Sequence, residues 1–268
     1  MSRPLNRSGQ WSQTATGITQ SPTRLTKPKT LTSLLSQSCR KSKMLDRVLE
    51  PEVMADRDEA VQYNDMDHGL VNRCFVADLL AAGPVGTDCL DLGAGTALIP
   101  IELCQRDGDV RVMAADASTV MLDLARYQLE INNLISRIQL HCGDAKKLVF
   151  EADFFDTVMS NSLVHHLPSH ETFLVEALRV LRPNGLLFIR DLCRPESQEH
   201  LDDLVSTYAA NESDSSRQML SQSLHAALSM SEIRDLAIKA GLKADCVGMT
   251  SDRHWTLQAR KPVASSST

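Results

Sequence analysis

Asp91-Leu92-Gly93-Ala94-Gly95-Thr96-Ala97 is the stretch on which the fold of this chain turns. The apolar run at 89–92 reads as a buried strand, and residues 96–106 carry the apolar spacing of a helix. Between them, Gly93 and Gly95 let the backbone turn tightly and approach a ligand with no Cβ in the way. A second strand is predicted at 110–115, followed at once by Asp116, 21 residues beyond Gly95. In a β-α-β unit that spacing places a carboxylate on the ribose hydroxyls of a nucleoside. A structural turn followed by an exposed acid is the competing reading of the same residues.

Outward from that turn the β-α alternation continues. A helix at 118–133 places Met121, Leu124, Ala125 and Ile131 on one stripe. Strands are predicted at 138–141, 157–160 and 186–190, with a helix at 171–181 before the last. Such alternation means a parallel sheet covered by helices on both faces. Upstream, 59–80 has the spacing of one or two helices ending at the break Ala81-Ala82-Gly83-Pro84. After Asp191 the alternation stops. Residues 192–228 are polar and mostly helix-like, with Leu201, Leu204, Val205 and Tyr208 on one stripe, and form a lid-like insertion. Ser229-Met230-Ser231-Glu232 reads as a capping box opening a helix that ends at Gly241. Two closing strands, 244–249 and 255–259, are joined by a turn at 250–254, too short for a parallel crossover and suited to an antiparallel hairpin.

Composition narrows the classes. The 268 residues are 43% hydrophobic, enough for a sizeable core, and no apolar run approaches the roughly 18 residues of a membrane span. Residues 1–43 hold eight Lys or Arg, fifteen Ser or Thr and no acid, and are expected to be a disordered extension. An organellar transit peptide, an overlong start before Met44 and a partner-binding tail all fit that make-up. The expected location is cytoplasmic, or an organelle if the extension is a transit peptide. Residues 44–268, expected to be one domain with a helical segment at about 59–82, keep 20 basic and all 34 acidic side chains, a formal net charge of −14. That balance argues against a nucleic-acid partner. The seven cysteines, Cys39, Cys74, Cys89, Cys104, Cys142, Cys193 and Cys246, show no C-x-x-C spacing and read as small buried thiols, with no metal site assigned.

The nucleoside is narrowed by further motifs. The last glycine of a dinucleotide G-x-G-x-x-G is Leu98 here, so no pyrophosphate anchor is present. The third strand runs into Cys142-Gly143-Asp144-Ala145, where a carboxylate can meet the exocyclic amine of adenine. The fourth runs into Ser160-Asn161-Ser162-Leu163-Val164-His165-His166-Leu167, and the fifth is preceded by Leu181-Arg182-Pro183-Asn184-Gly185. With these residues the chain, over about 60–260, resembles the class I S-adenosylmethionine-dependent methyltransferases, in the style of the small-molecule group that includes the ubiquinone/menaquinone C-methyltransferases. The resemblance implies a Rossmann-like α/β fold: a seven-stranded, mostly parallel sheet with the last strand antiparallel beside the fifth, and helices on both faces. It implies S-adenosyl-L-methionine as cofactor, with Gly93 and Gly95 beneath its methionine part, Asp116 at the ribose, Asp144 and Ala145 at the adenine, Asn161 beside the sulfonium, and Asp91 and Ala117 among the cofactor-binding residues. Ala97 stands where many relatives have a third glycine.

The activity so implied is in-line methyl transfer to a small-molecule acceptor of unknown identity. Most acceleration then comes from holding the acceptor in line, and a general base is needed only if the acceptor must lose a proton. The candidates are His165, His166, Asp191, His225, Arg253 and His254, the last two placed with Asp252 on the carboxyl-end rim by the closing hairpin. For the His165–His166 pair, the structural alternative is one ring packed under the sheet edge and the other solvated. His225 can equally be a satisfied helix histidine, and Arg253 can simply pair with Asp252. Tyr63, Asp67, His68 and Asn72 are candidates to close over the cofactor, with surface or helix-capping roles the alternative for half of them. A nicotinamide oxidoreductase, a non-catalytic nucleoside- or partner-binding module and an RNA methyltransferase are the rival readings.

Overall fold

The computed structural model describes residues 45–50 and 69–263, all within the compact unit Ser42–Thr268. The basic extension at 1–43, the upstream part of the 59–82 segment, and Tyr63, Asp67 and His68 lie outside the described residues. Helix α1 (Gly69–Ala81) leads into β1 (Asp88–Leu92), α2 (Leu98–Arg106), β2 (Arg111–Asp116), α3 (Thr119–Ile131), β3 (Ile138–Cys142) and β4 (Phe155–Asn161). After a 3-10 turn at Val164–His166 come α4 (His170–Val180), β5 (Leu181–Leu192), α5 (Gln198–Tyr208), α6 (Asp214–Ala226), α7 (Met230–Lys239), β6 (Val247–Met249) and β7 (His254–Arg260). The seven strands lie in the order β3-β2-β1-β4-β5-β7-β6, parallel except for β7, which runs antiparallel to both β5 and β6.

Period-two alternation explains why the sheet is covered on both faces. Leu90, Leu92, Leu187 and Ile189 join one core with Phe173, Leu174 and Ala177 of α4 and Ile233 and Leu236 of α7. Cys89, Val112, Ala114 and Phe188 face the other way, against Phe75 and Leu79 of α1, Ile101 and Leu103 of α2, and Leu129 of α3. A third, smaller cluster joins Leu192 to Leu201 and Leu204 of α5 and Leu224 of α6, with Leu45 against it.

Several expectations change at this level. On α3 the buried stripe is Met121, Leu122, Ala125 and Leu129, while Ile131 is 57% exposed. The helix rotates its face because packing on β2 and β3, not its own spacing, chooses the stripe. Tyr208 is likewise exposed at the end of α5. No loop separates α4 from β5: the chain turns extended at Leu181, since a residue near Pro183 is kept out of the helical region. The run Arg182–Gly185 is taken up as a register shift against β4, with Asn184 at φ 63. The closing hairpin is shorter on one side, residues 244–246 forming a 3-10 turn before β6. The capping box at Ser229 is present with both of its hydrogen bonds. Of the described cysteines only Cys89 and Cys104 are buried, Cys74 and Cys142 being exposed, and all six are free.

Candidate active site

In the sheet order, β1 lies between β2 and β4, so the chain leaves β1 in one direction and later returns on its other side. The crevice beyond the carboxyl ends of β1 and β4 is therefore the topological switch point at which open α/β sheets bind ligands. The glycine turn occupies it. Gly93 and Gly95 have φ of 71° and 55°, the left-handed region, and the Gly93 and Ala94 N–H groups donate to the Ala115 carbonyl at 2.9 and 3.0 Å. A Cβ on Gly93 would stand 2.9 Å from Leu163, whereas one on Gly95 would meet nothing within 4 Å among the described residues. Gly93 is thus required by the protein's own packing, and among the described residues Gly95 fronts open space of the kind a ligand fills. Ala97 is also left-handed (φ 60) just before α2, which explains why a glycine suits this position.

Asp116 closes β2 against the turn. One carboxylate oxygen accepts from Gly95 N–H and the other from Ser118 N–H, both at 2.8 Å. Two bonds leave part of the acceptor capacity of a carboxylate unused. Burial pushes its pKa up, against the pull of those N–H groups. Asp91, fully buried at the end of β1, has no hydrogen-bond partner among the described residues; burial, with the nearby Asp116 charge, holds its carboxyl well above the usual range. A buried acid in that state is matched by a cationic or donor group.

The other positions line the same edge. Asp144, half exposed, uses one oxygen for Lys146 N–H (2.8 Å) and the Lys146 ammonium (2.9 Å), leaving the second free of described partners. Ala145 follows it, and Ala117 is exposed after β2. Asn161 ends β4, its amide donating to Ser162 Oγ at 3.2 Å, and Ser162 turns left-handed (φ 56) to start the 3-10 segment. Acceptors for two hydroxyls and an exocyclic amine, a buried acid and an open glycine cradle fit an adenosyl amino acid in their chemistry.

The acceptor-side candidates separate into three groups. Asp191, fully buried at the end of β5, accepts from His165 N–H at 3.1 Å and meets His165 Nδ1 at 2.5 Å. The other ring nitrogen, Nε2, lies 3.2 Å from Glu50 Oε1, and His166 Nδ1 is 3.2 Å from the same oxygen. Burial alone would lower the His165 pKa, but Asp191 and then Glu50 outweigh it and hold the imidazole at about 9. His165 is therefore a buried imidazolium, hydrogen-bonded to Asp191 through Nδ1 and within ion-pair distance of Glu50 at Nε2, not a resting general base, while His166, 30% exposed, is the ring of the pair that reaches solvent.

His225 is a satisfied helix histidine, its Nδ1 on the Ser221 carbonyl at 3.0 Å. Arg253 is committed to Asp252 (3.2 Å) and to the face of Tyr208, whose hydroxyl donates to Asp252 at 2.5 Å. His254 opens β7 opposite Leu192, accepts or donates at Ser251 Oγ (2.8 Å), and is lowered to about 4, chiefly by burial and then by Arg253. A base that weak at the rim removes few protons near neutrality. Asn72 is half-buried on α1.

Glu50 was not legible in the sequence, where it is one acid in an unpatterned stretch. Its segment is pinned from several sides. Arg47 donates to the carbonyls of Ala226 (2.5 Å), His165 (3.0 Å) and Leu167 (3.2 Å), and Val48 N–H donates to His225 O. The only hint was the nearby arginine in a chain of otherwise acidic character.

The geometry thus puts an open glycine turn and strand-end carboxylates at the switch point of a Rossmann-like sheet. Residues 90–189 match the family model for the methyltransferase domain. The chain is 30% identical over 151 residues to the ubiquinone/menaquinone biosynthesis C-methyltransferase of Vibrio campbellii, covering 55% of this chain and 56% of that protein. It is 27% identical over 130 residues to the mitochondrial 2-methoxy-6-polyprenyl-1,4-benzoquinol methylase of Caenorhabditis elegans, covering 48% and 45%. The chain spans about half the length of the curated relatives it matches. Among solved structures, a putative S-adenosylmethionine-dependent methyltransferase of Methanococcus maripaludis shares the fold with a TM-score of 0.63 at 18% identity, over 81% of this chain and 98% of that one. Residues 90–189 are thus similar to a methyltransferase domain, and about half of the chain is similar to the ubiquinone/menaquinone C-methyltransferases. Among the described residues no helix is long and apolar enough to cross a membrane.

Proposed function

We propose that this protein transfers a methyl group from S-adenosylmethionine to a small-molecule acceptor. The observation that carries the reading is the Gly95–Asp116 pair at the switch point. A left-handed glycine facing open space is hydrogen-bonded to the carboxylate that closes the neighbouring strand. In this reading Asp116 accepts from the ribose hydroxyls, the free oxygen of Asp144 from the adenine amine, and buried Asp91 answers the ammonium of the methionine part. Asn161 and Ala145 border the sulfonium and the adenine. When bound, the cofactor supplies an electrophilic methyl carbon on a sulfonium, which an acceptor atom attacks in line as the thioether leaves.

The chain's own contribution is then placement. The cradle fixes the direction of the methyl group, and the rim at His166 and His254 holds the acceptor against it, with buried Asp191 fixing His165 behind them. Helices α5 and α6, which fill most of the 192–228 stretch, wall that side. Because His165 is already a cation and His254 is weakly basic, His166 is the histidine suited to take a proton where the acceptor loses one. The quinone-pathway names of the relatives favour an oxygenated ring as acceptor.

Incubation with isotope-labelled S-adenosylmethionine and a metabolite extract, followed by mass spectrometry, tests the reading. Label transferred to a small metabolite, and lost in Asp116→Ala, is the expected result. Absence of cofactor binding by calorimetry in the unmodified chain refutes it.

A further inference from the structure

We infer that Glu50, His165 and His166 form a binding site for one divalent transition-metal ion of the zinc class. One atom from each, Glu50 Oε1, His165 Nε2 and His166 Nδ1, lie within 4.8 Å of one another. The Glu50 oxygen is 3.2 Å from each ring nitrogen. Ligand atoms on a tetrahedral ion with bonds of roughly 2.0–2.1 Å stand about 3.3 Å apart. Two of the three edges therefore have the spacing of such a site before any ion enters, and the third, between the ring nitrogens, is within 4.8 Å.

Two imidazoles and a carboxylate are the ligand types that zinc and neighbouring first-row ions accept. The protein also fixes their orientation. Asp191 sits on His165 Nδ1 at 2.5 Å and is itself anchored by Leu192 N–H at 2.6 Å. An entering ion displaces the Nε2 proton of His165 to solvent; the remaining proton stays on Nδ1 against Asp191, and Nε2 presents its lone pair toward Glu50 and His166. This carboxylate–histidine arrangement is the one that orients metal-bound imidazoles.

Glu50 supplies the independent sign of a missing ligand. Its Oε1 is buried and meets hydrogen-bond geometry with neither ring nor any other described group, while Oε2 is held by Ser223 Oγ at 3.4 Å. A buried carboxylate oxygen aimed between two ring nitrogens is placed for a cation. The charged groups facing the cluster are Glu50, Asp191 and Arg47, with Asp116 within electrostatic reach of His166. Once His165 gives up its Nε2 proton to ligate, that balance is negative and a divalent ion offsets it. The exposed flank of His166 leaves a fourth position for water. An acceptor oxygen at that position would rest on the methyltransferase reading; metal binding itself does not.

The test uses the full chain stripped with a chelator and titrated with Zn2+ and Co2+. We expect one ion per chain by calorimetry, and a Co2+ absorption spectrum of nitrogen and oxygen ligation. A thiolate charge-transfer band would assign the ion to Cys74 or Cys142 and overturn the site. Glu50→Gln and His166→Ala should weaken binding at least 100-fold, and Asp191→Asn by about 10–100-fold. In the unmutated chain, zinc should protect His166 from diethyl pyrocarbonate, as mapped by mass spectrometry. No stoichiometric ion, unchanged affinity in folded Glu50→Gln and His166→Ala, or no protection of His166 would each overturn it.

Discussion

Replacing Asp191 by Asn tests the buried pair at the end of β5 with little change of shape. Asp191 and His165 are both fully buried, and the carboxylate accepts from His165 Nδ1, His165 N–H and Leu192 N–H. Asn retains an acceptor for a backbone N–H but no charge to hold an imidazolium. His165 stands at about 9 in the folded protein against 6.5 for the free side chain. A folded value raised above the unfolded one gives stability that is complete below pH 6.5 and is lost as pH rises through about 9. The difference amounts to on the order of 3 kcal/mol, near the lower end of the ~3–5 kcal/mol found when one partner of a buried pair is removed. Urea unfolding followed by circular dichroism should therefore show Asp191→Asn less stable by about that amount at pH 6, with the gap closing toward pH 9. Buried thiols also lose stability at high pH: burial pushes Cys89 up to about 12 and raises Cys104. Both proteins share that slope, so the difference between them isolates the pair. A gap that stays constant from pH 6 to 9 would refute the reasoning.

On the acid side, His170 and His254 are lowered to about 4, chiefly by burial, so stability should fall as pH drops from 6.5 toward 4; His254→Asn should shrink that fall in the same unfolding series. Asp116→Ala should abolish S-adenosylmethionine binding by calorimetry while the circular dichroism spectrum is kept, since the Asp116 carboxylate accepts from backbone N–H groups of the glycine turn and the following loop and not from the sheet ladder. Gly95→Ala pays roughly 1–2 kcal/mol for its left-handed backbone and loses cofactor affinity; Gly93→Ala adds a clash with Leu163 and should show the larger fall in thermal midpoint. Arg137→Ala removes the guanidinium from the carbonyls of Cys104, Asp107 and Val110 and should cost about 2–3 kcal/mol in chemical unfolding.

Much of the architecture was legible because it is written in local periodicity. Strands buried on both faces read as short apolar runs, Gly93 and Gly95 mark a turn no other residue makes freely, and Ser229 with Glu232 caps a helix within four residues. The Gly95 to Asp116 spacing was readable for the same reason, since one β-α-β unit has a nearly fixed length, and their 2.8 Å hydrogen bond is its outcome. Placing β7 beside β5 needed the resemblance as well as the short turn.

The sheet, its glycine turn and the acids at the strand ends are therefore written in the chain's local pattern, because each depends on neighbours along the chain. Only the tertiary structure decided which face of α3 is buried, that Arg253 is held by Asp252 and Tyr208, and that His165 is an imidazolium between two carboxylates. It alone brought Glu50 to the histidines, across 115 residues of chain. Hydrophobic patterning records whether a residue is inside, but an ion pair between remote segments leaves no period in the sequence, and its partners are chosen only when the core has set the distances between them.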